Sequence, residues 1–333
     1  MTYSEAIKGG VRVVNRNWQL VLIQLSLVLM SSLGFFIIVG IPLAIAFVIF
    51  GVDLTAMADL RDLVKIMKGP SDIISKYFGL VLVILACLLL YLILVALFGI
   101  YIFGGSVGVI GRSVRDSALK FHIKAFFEEA KRLFLRLLAF TSFIGVFFIV
   151  VAFVLGILGG GIAALISYAH SQESTLALFF GTFFALLMII MAAIVILGIL
   201  SLTLYAIASL SFKETGPVKS LQEAWKFLNR HPDAFWLYTM LFGAYLLASF
   251  LLVLFGYPFA LIPVIGTILS FPYQFISYAL ETYMGLIIIA AMLNFYYFTE
   301  MYAESAELAA GEPAAQQADL GEREGRSSGT SEE

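Results

Sequence analysis

Residues 77–100 read YFGLVLVILACLLLYLILVALFGI, and no Asp, Glu, Lys or Arg occurs from Tyr77 to Gly111. About 20 helical residues cross the hydrocarbon of a bilayer, so this stretch is long enough to span it alone. With no water to take up backbone N–H and C=O groups, the segment must satisfy them internally, which makes it a helix. Working outward, five more apolar runs meet the same length criterion, near 18–50, 133–168, 175–212, 235–256 and 264–299. Several exceed 30 residues, and at about 17 residues per span plus a polar turn the 33 residues of run 18–50 fall short of two spans. Tilt, or extension past the hydrocarbon, accounts for the surplus.

Composition agrees. Of 333 residues 62% are apolar and 13% charged, and the mean hydropathy is +1.01. Soluble domains run about 45–50% apolar and about 25% charged. A soluble enzyme, a disordered scaffold and a disulfide-rich secreted module are excluded. The fold class is all-α: a polytopic integral membrane bundle of six transmembrane helices. The single cysteine, Cys87, lies in an apolar run, so no intramolecular disulfide or cysteine-based metal site is expected.

Lys and Arg set the orientation. The N-terminus holds three, loop 112–136 seven, loop 213–234 four and the tail two, against four in loop 51–76 (Arg61, Lys65, Lys68, Lys76). This split places both termini in the cytoplasm and the protein in the cell (inner) membrane. Lys8, Arg12 and Arg16 before the first run mimic a signal peptide, but that run is too long, so an uncleaved span is expected. Residues 1–302 form the membrane domain. Residues 303–333 carry eight acids against Arg323 and Arg326 and no aromatic, which predicts an acidic, disordered cytoplasmic tail.

A repeat underlies the spans. Ile7, Val11, Val14 and Trp18 make an apolar face opposite Lys8, Arg12 and Arg16. Leu119, Ile123, Phe126, Ala130 and Phe134 oppose Lys120, Lys124, Glu128 and Lys131. Val218, Leu221, Trp225 and Leu228 oppose Lys219, Glu223, Lys226 and Arg230. Such helices lie in the headgroup plane. Glu5-Ala6-Ile7-Lys8, Ser117-Ala118-Leu119-Lys120 and Glu223-Ala224-Trp225-Lys226 share an x-Ala-x-Lys core, and Asn15-Arg16 matches Asn229-Arg230. Three units are expected, about 1–112, 113–213 and 214–302, each an interfacial helix followed by a two-span hairpin. An even number of spans gives all three one topology, with a pseudo-symmetry axis along the membrane normal. The expected partners are membrane lipids, with anionic headgroups at Lys8, Arg12, Arg16, Lys120, Lys124, Lys219 and Lys226. Each such cation contributes about 1 kcal/mol near an anionic leaflet. Nothing points to nucleic acid.

The stretch from Glu214 through Gly216, Pro217, Ala224, Trp225 and Lys226 to Phe227 carries an acid and Gly, then Ala before Trp and a base. It resembles six-span prokaryotic membrane proteins classed with the membrane domain of glycerophosphoryl diester phosphodiesterases, and related families of unknown function. In that family the hydrolytic chemistry belongs to a separate soluble barrel. The resemblance therefore implies architecture and not hydrolysis.

Catalytic patterns give way to packing. Gly104-Gly105-Ser106-Val107-Gly108 matches G-x-S-x-G, but that nucleophile needs a strand-to-helix turn beside His and an acid. His122, His170 and His231 are scattered over loops and interfacial segments and form no metal cluster. No phosphate-binding loop is present. No catalytic residue, metal or cofactor is expected, and the chain is read as not an enzyme. Gly104/Gly108 and Gly156/Gly160 form G-x-x-x-G pairs suited to close helix packing.

Glu281 is the one carboxylate inside a nominal span, and it is the candidate functional residue. Helix from Glu281 to Glu300 spans about 28 Å, close to a hydrocarbon core of about 30 Å. With Glu300 at the inner surface, Glu281 reaches the outer one, among Tyr273, Tyr278 and Tyr283. Burial among the spans is the competing reading. Pro258, Pro263 and Pro272 make 257–277 an expected re-entrant or interfacial loop, able to line a substrate path. Gly40-Ile41-Pro42 and Gly159-Gly160-Gly161 are further expected breaks. The preferred function is a non-enzymatic scaffold or lipid-interacting protein. Transport of a small apolar or lipid-like substrate comes second, and a membrane subunit of a separate soluble enzyme third.

Overall fold

The computed structural model describes residues 2–49, 78–116, 118–172, 174–260 and 265–302. Loop 51–76 with its four cations, Ser117, Pro263 and the acidic tail lie outside the described residues. The elements are α1 (Tyr3–Arg16), α2 (Gln19–Phe35), a π-helical turn (Phe36–Gly40), α3 (Ile41–Ile49), α4 (Phe78–Arg115), α5 (Ile123–Gln172), α6 (Ser174–Lys213), α7 (Pro217–Arg230), α8 (Pro232–Ala260), α9 (Ile265–Tyr296) and a second π-helical turn (Tyr297–Met301). Six helical segments are long and apolar enough to cross a membrane: Gln19–Ala46, Phe78–Arg115, Ile123–Ser171, Ala177–Lys213, Pro232–Pro258 and Ile268–Met301. The protein is an all-α, multi-pass membrane bundle.

Consecutive spans pair as hairpins, α2–α3 with α4, α5 with α6 and α8 with α9. Helix α9 also touches α1, α2, α4 and α6, which makes it the hub. The buried side chains gather at one end of the bundle, the basal end, where α1, α7 and the ends of α4, α6 and α9 meet. Ile110, Phe126, Tyr205, Phe227 and Tyr296 are all under 3% exposed there. Toward the opposite, distal end, Val48, Phe153, Leu178 and Val253 stand more than two-thirds exposed. Lipid tails are as apolar as Leu, so spans gain no hydrophobic drive from packing together. Side chains withdrawn from water gain about 25 cal/mol per Å² buried, so a packed core is expected where a bundle meets water.

Entry into each hairpin shows why. Thr2 caps α1: Glu5 N donates to Thr2 Oγ1 at 3.4 Å, and Thr2 N donates to Glu5 Oε2 at 2.8 Å. Those bonds hold the Glu5 carboxyl below its ordinary range. Helix α7 starts with Pro217 behind Gly216, and α8 with Pro232. The second amphipathic segment differs from expectation, because it is the first turns of α5 and continues unbroken into the span.

The packed faces are also rotated from the predicted ones. In α1 the buried set is Ala6, Gly10, Val13 and Val14, while Trp18 is exposed. In α7 it is Ser220, Ala224 and Phe227, while Val218 and Trp225 are exposed. Small residues let the helices approach closely. A Cβ on Gly10 would stand 2.7 Å from the Ala291 backbone N, and one on Gly9 would stand 2.0 Å from Asn294 Nδ2. Ala6, Ala130 and Ala224 are fully buried, and each follows a Glu. Ala118 is exposed, so Glu129-Ala130-Lys131 rather than Ser117–Lys120 takes this position in the second segment.

Three further expectations change. Residues 257–260 and 265–277 belong to α8 and α9, with Pro258 and Pro272 inside helix, so they form no re-entrant loop. The triple glycine 159–161 lies within unbroken α5, and the chain at Gly40–Pro42 stays helical, passing from a π-helical turn (Phe36–Gly40) into α3. Helix is retained because lipid gives freed backbone groups no other partner. Of the two G-x-x-x-G pairs only the first packs. Leu133 and Leu137 lie against Gly104, and a Cβ on Gly108 would stand 2.5 Å from that of Glu129; Gly156 and Gly160 have nothing within 4 Å.

Candidate functional site

Glu281 lies sixteen residues from the start of α9 at Ile265, about 24 Å of helix. Two residues on, the Tyr283 hydroxyl donates to Asn15 Oδ1 at 2.5 Å, at the end of α1. Glu281 therefore lies midway along α9, where the contact with the end of α1 begins. Farther along α9, α1 covers Ala291 and Asn294 at the basal end.

Glu281 is half-buried and lines two cavities. One, of about 380 Å³, lies between α8 and α9 and is bounded by Leu252, Val253, Tyr273, Ser277 and Tyr278. The other, of about 310 Å³, adds Gln24, Phe103, Tyr245 and Thr282. Ser277 Oγ is buried without a hydrogen-bond partner. Gln24 Nε2 donates to Ser106 Oγ at 3.1 Å, and Ser106 Oγ donates to Ile102 O at 3.0 Å. The serine of the G-x-S-x-G pattern is thus engaged in helix packing and fully buried.

The basal end is a polar assembly. Glu129, 1% exposed, pairs with Arg112 and with Arg132, the latter at 2.6 Å. Arg132 reaches Glu214 at 2.5 Å and Arg136 reaches it at 3.4 Å, joining α5 to the α6–α7 turn. Arg132 holds the Glu214 carboxyl below its ordinary range, against a smaller opposing push from desolvation. Glu214 adopts φ 54°, a left-handed helix-end position that usually takes Gly. Ser209 Oγ donates to Glu223, and Arg115 donates to Phe212 O at 2.7 Å. Asn17, fully buried, donates to Val13 O and Ser113 Oγ.

Of the cations expected to meet lipid, Lys8, Arg12, Lys120, Lys124, Lys219 and Lys226 are exposed, while Arg16 donates to Ser113 O at 2.8 Å. Sequence reading missed Glu129 and Asn17 as buried polar partners, and Glu223 as a half-buried one. The Glu-Ala doublet repeated at 5–6, 129–130 and 223–224 was the available signal.

Comparison with family models, with curated proteins and with solved structures finds no match to this chain.

Proposed function

We propose that this is a non-enzymatic integral membrane protein of the cell membrane, with a lipid-interacting or scaffolding role and both termini cytoplasmic. One observation carries the reading: Lys8, Arg12, Lys120, Lys124, Lys219 and Lys226 are exposed on the basal entry segments, beside exposed Trp18, Trp225 and Trp236. Bases flanked by Trp suit an anionic headgroup layer. The protein in nanodiscs of mixed phosphatidylglycerol and phosphatidylcholine, released for native mass spectrometry, should retain the anionic lipid preferentially. Replacing Lys8, Arg12, Lys219 and Lys226 by Gln should remove that preference, and added salt should weaken it. Equal retention of both lipids by the wild type sinks the reading. Transport of a small apolar or lipid-like substrate is the second reading, favoured by the two cavities that share Glu281.

A further inference from the structure

We propose that the cleft at Glu281 binds an organic ammonium group, with the carboxylate as counter-charge and tyrosine rings as walls. This goes beyond lipid contact at the basal surface and uses none of its cations. Among the described residues no ion pair or hydrogen bond reaches Glu281. A carboxylate among spans is costly unless something compensates its charge. No Lys or Arg lines either cavity, so a cationic ligand would meet a carboxylate with no protein counter-charge.

The surroundings select the kind of cation. Tyr273 and Tyr278 line one cavity, and Tyr245 and Phe103 the other, so Glu281 stands between two aromatic-walled spaces. Aromatic faces with a carboxylate recognise alkylammonium groups through ring quadrupole and charge together. A bare divalent ion would ask for several carboxylates, and the described residues hold no group of three His, Cys, Asp or Glu suited to one.

The rest of the cleft suits the remainder of an amphiphile. Ser270, Gln274, Ser277 and Glu281 follow i, i+4, i+7, i+11 along α9 and line one cavity, a polar stripe about 16 Å long within a lipid-crossing helix. Ser277 Oγ, buried on that wall without a partner, is placed to meet a ligand hydroxyl or phosphate oxygen. Leu252 and Val253 of α8 give the opposite wall an apolar surface. The ammonium group could reach this cleft on a lipid headgroup or as a free organic cation.

Titration calorimetry of the full chain in an uncharged maltoside detergent, with choline and dodecyltrimethylammonium as probes, tests this. Saturable binding by the wild type that falls at least tenfold in Glu281→Gln, and is partly retained in Glu281→Asp, is the expected result. Binding of the amphiphile alone assigns a lipid headgroup, and equal binding of choline assigns a soluble cation; either supports the site. Absence of binding, equal binding by Glu281→Gln, or stronger binding of sodium than of either probe overturns it. Should Glu281→Gln not fold, Tyr278→Leu provides the second variant, and its unchanged affinity for both probes would overturn the aromatic wall. Because the detergent is uncharged, failure here leaves the anionic-lipid reading standing, and the reverse also holds.

Discussion

Glu129 is the residue on which the basal end depends most. It is a buried carboxylate between Arg112 and Arg132, and removing one member of a buried pair costs about 3–5 kcal/mol. The two arginines are 45% and 35% exposed, so water can recover part of their charge and the lower end applies. Glu129→Ala should therefore lose about 3 kcal/mol, read as a fall in thermal midpoint in detergent. Glu214 behaves differently because it is exposed, where pairs contribute about 0–1 kcal/mol. Its carboxyl is depressed by Arg132 in the folded state. The ion pair is fully present above the ordinary carboxylate range and is lost as pH falls through the folded value. Wild type and Glu214→Gln should thus differ slightly in midpoint at neutral pH and converge in acid; a gap that persists in acid would assign the effect to something other than this carboxylate.

At the scale of elements, glycine positions separate contact from mere composition. Gly10 sits where α1 crosses α9, and a Cβ there meets the Ala291 backbone, which cannot rotate away. Gly10→Val should cost about 1–3 kcal/mol by overpacking. Gly156 and Gly160 face open space in α5, so Ala at either should be neutral or stabilising by up to about 1 kcal/mol through helix propensity. Thermal unfolding of the three variants side by side checks the contrast, and equal losses would refute the packing account. The same contact bears on Glu281, which stands half-buried midway along α9, just before the end of α1 at Asn15. After replacement of Cys87, a cysteine at 281 should react slowly with an impermeant thiol reagent added from the distal side.

At the scale of the molecule, each basal entry segment lies on the end of a different even-numbered span: α1 on α9, the start of α5 on α4, and α7 on α6. The first unit therefore closes onto the last. Reporters fused at either terminus and within 112–136 should all read as cytoplasmic, and an opposite reading at one terminus would overturn the orientation argued from Lys and Arg. Deleting residues 2–16 should destabilise the bundle as well as alter insertion, because α1 covers Ala291 and Asn294; intact stability in detergent would limit α1 to membrane contact.

The six spans and their order were legible in the sequence alone. Hydropathy is a local property and the bilayer is a uniform solvent, so length and composition suffice to place a helix across it. The outward cations were legible for a related reason, since Lys8, Arg12 and Lys226 avoid the apolar phase wherever their neighbours fall. The buried faces of α1 and α7 were not. Lipid and protein interior are almost equally apolar, so hydrophobic patterning cannot tell which side of a helix meets which. Close approach at Gly9, Gly10 and Ala224, and polar pairing at Asn17 and Glu129, decide it, and both depend on residues far away in the chain. The surroundings of Glu281 belong to the same class. Asn15 and Asn294 fix how α1 lies along α9, and only the tertiary structure brings together helices so far apart in the chain.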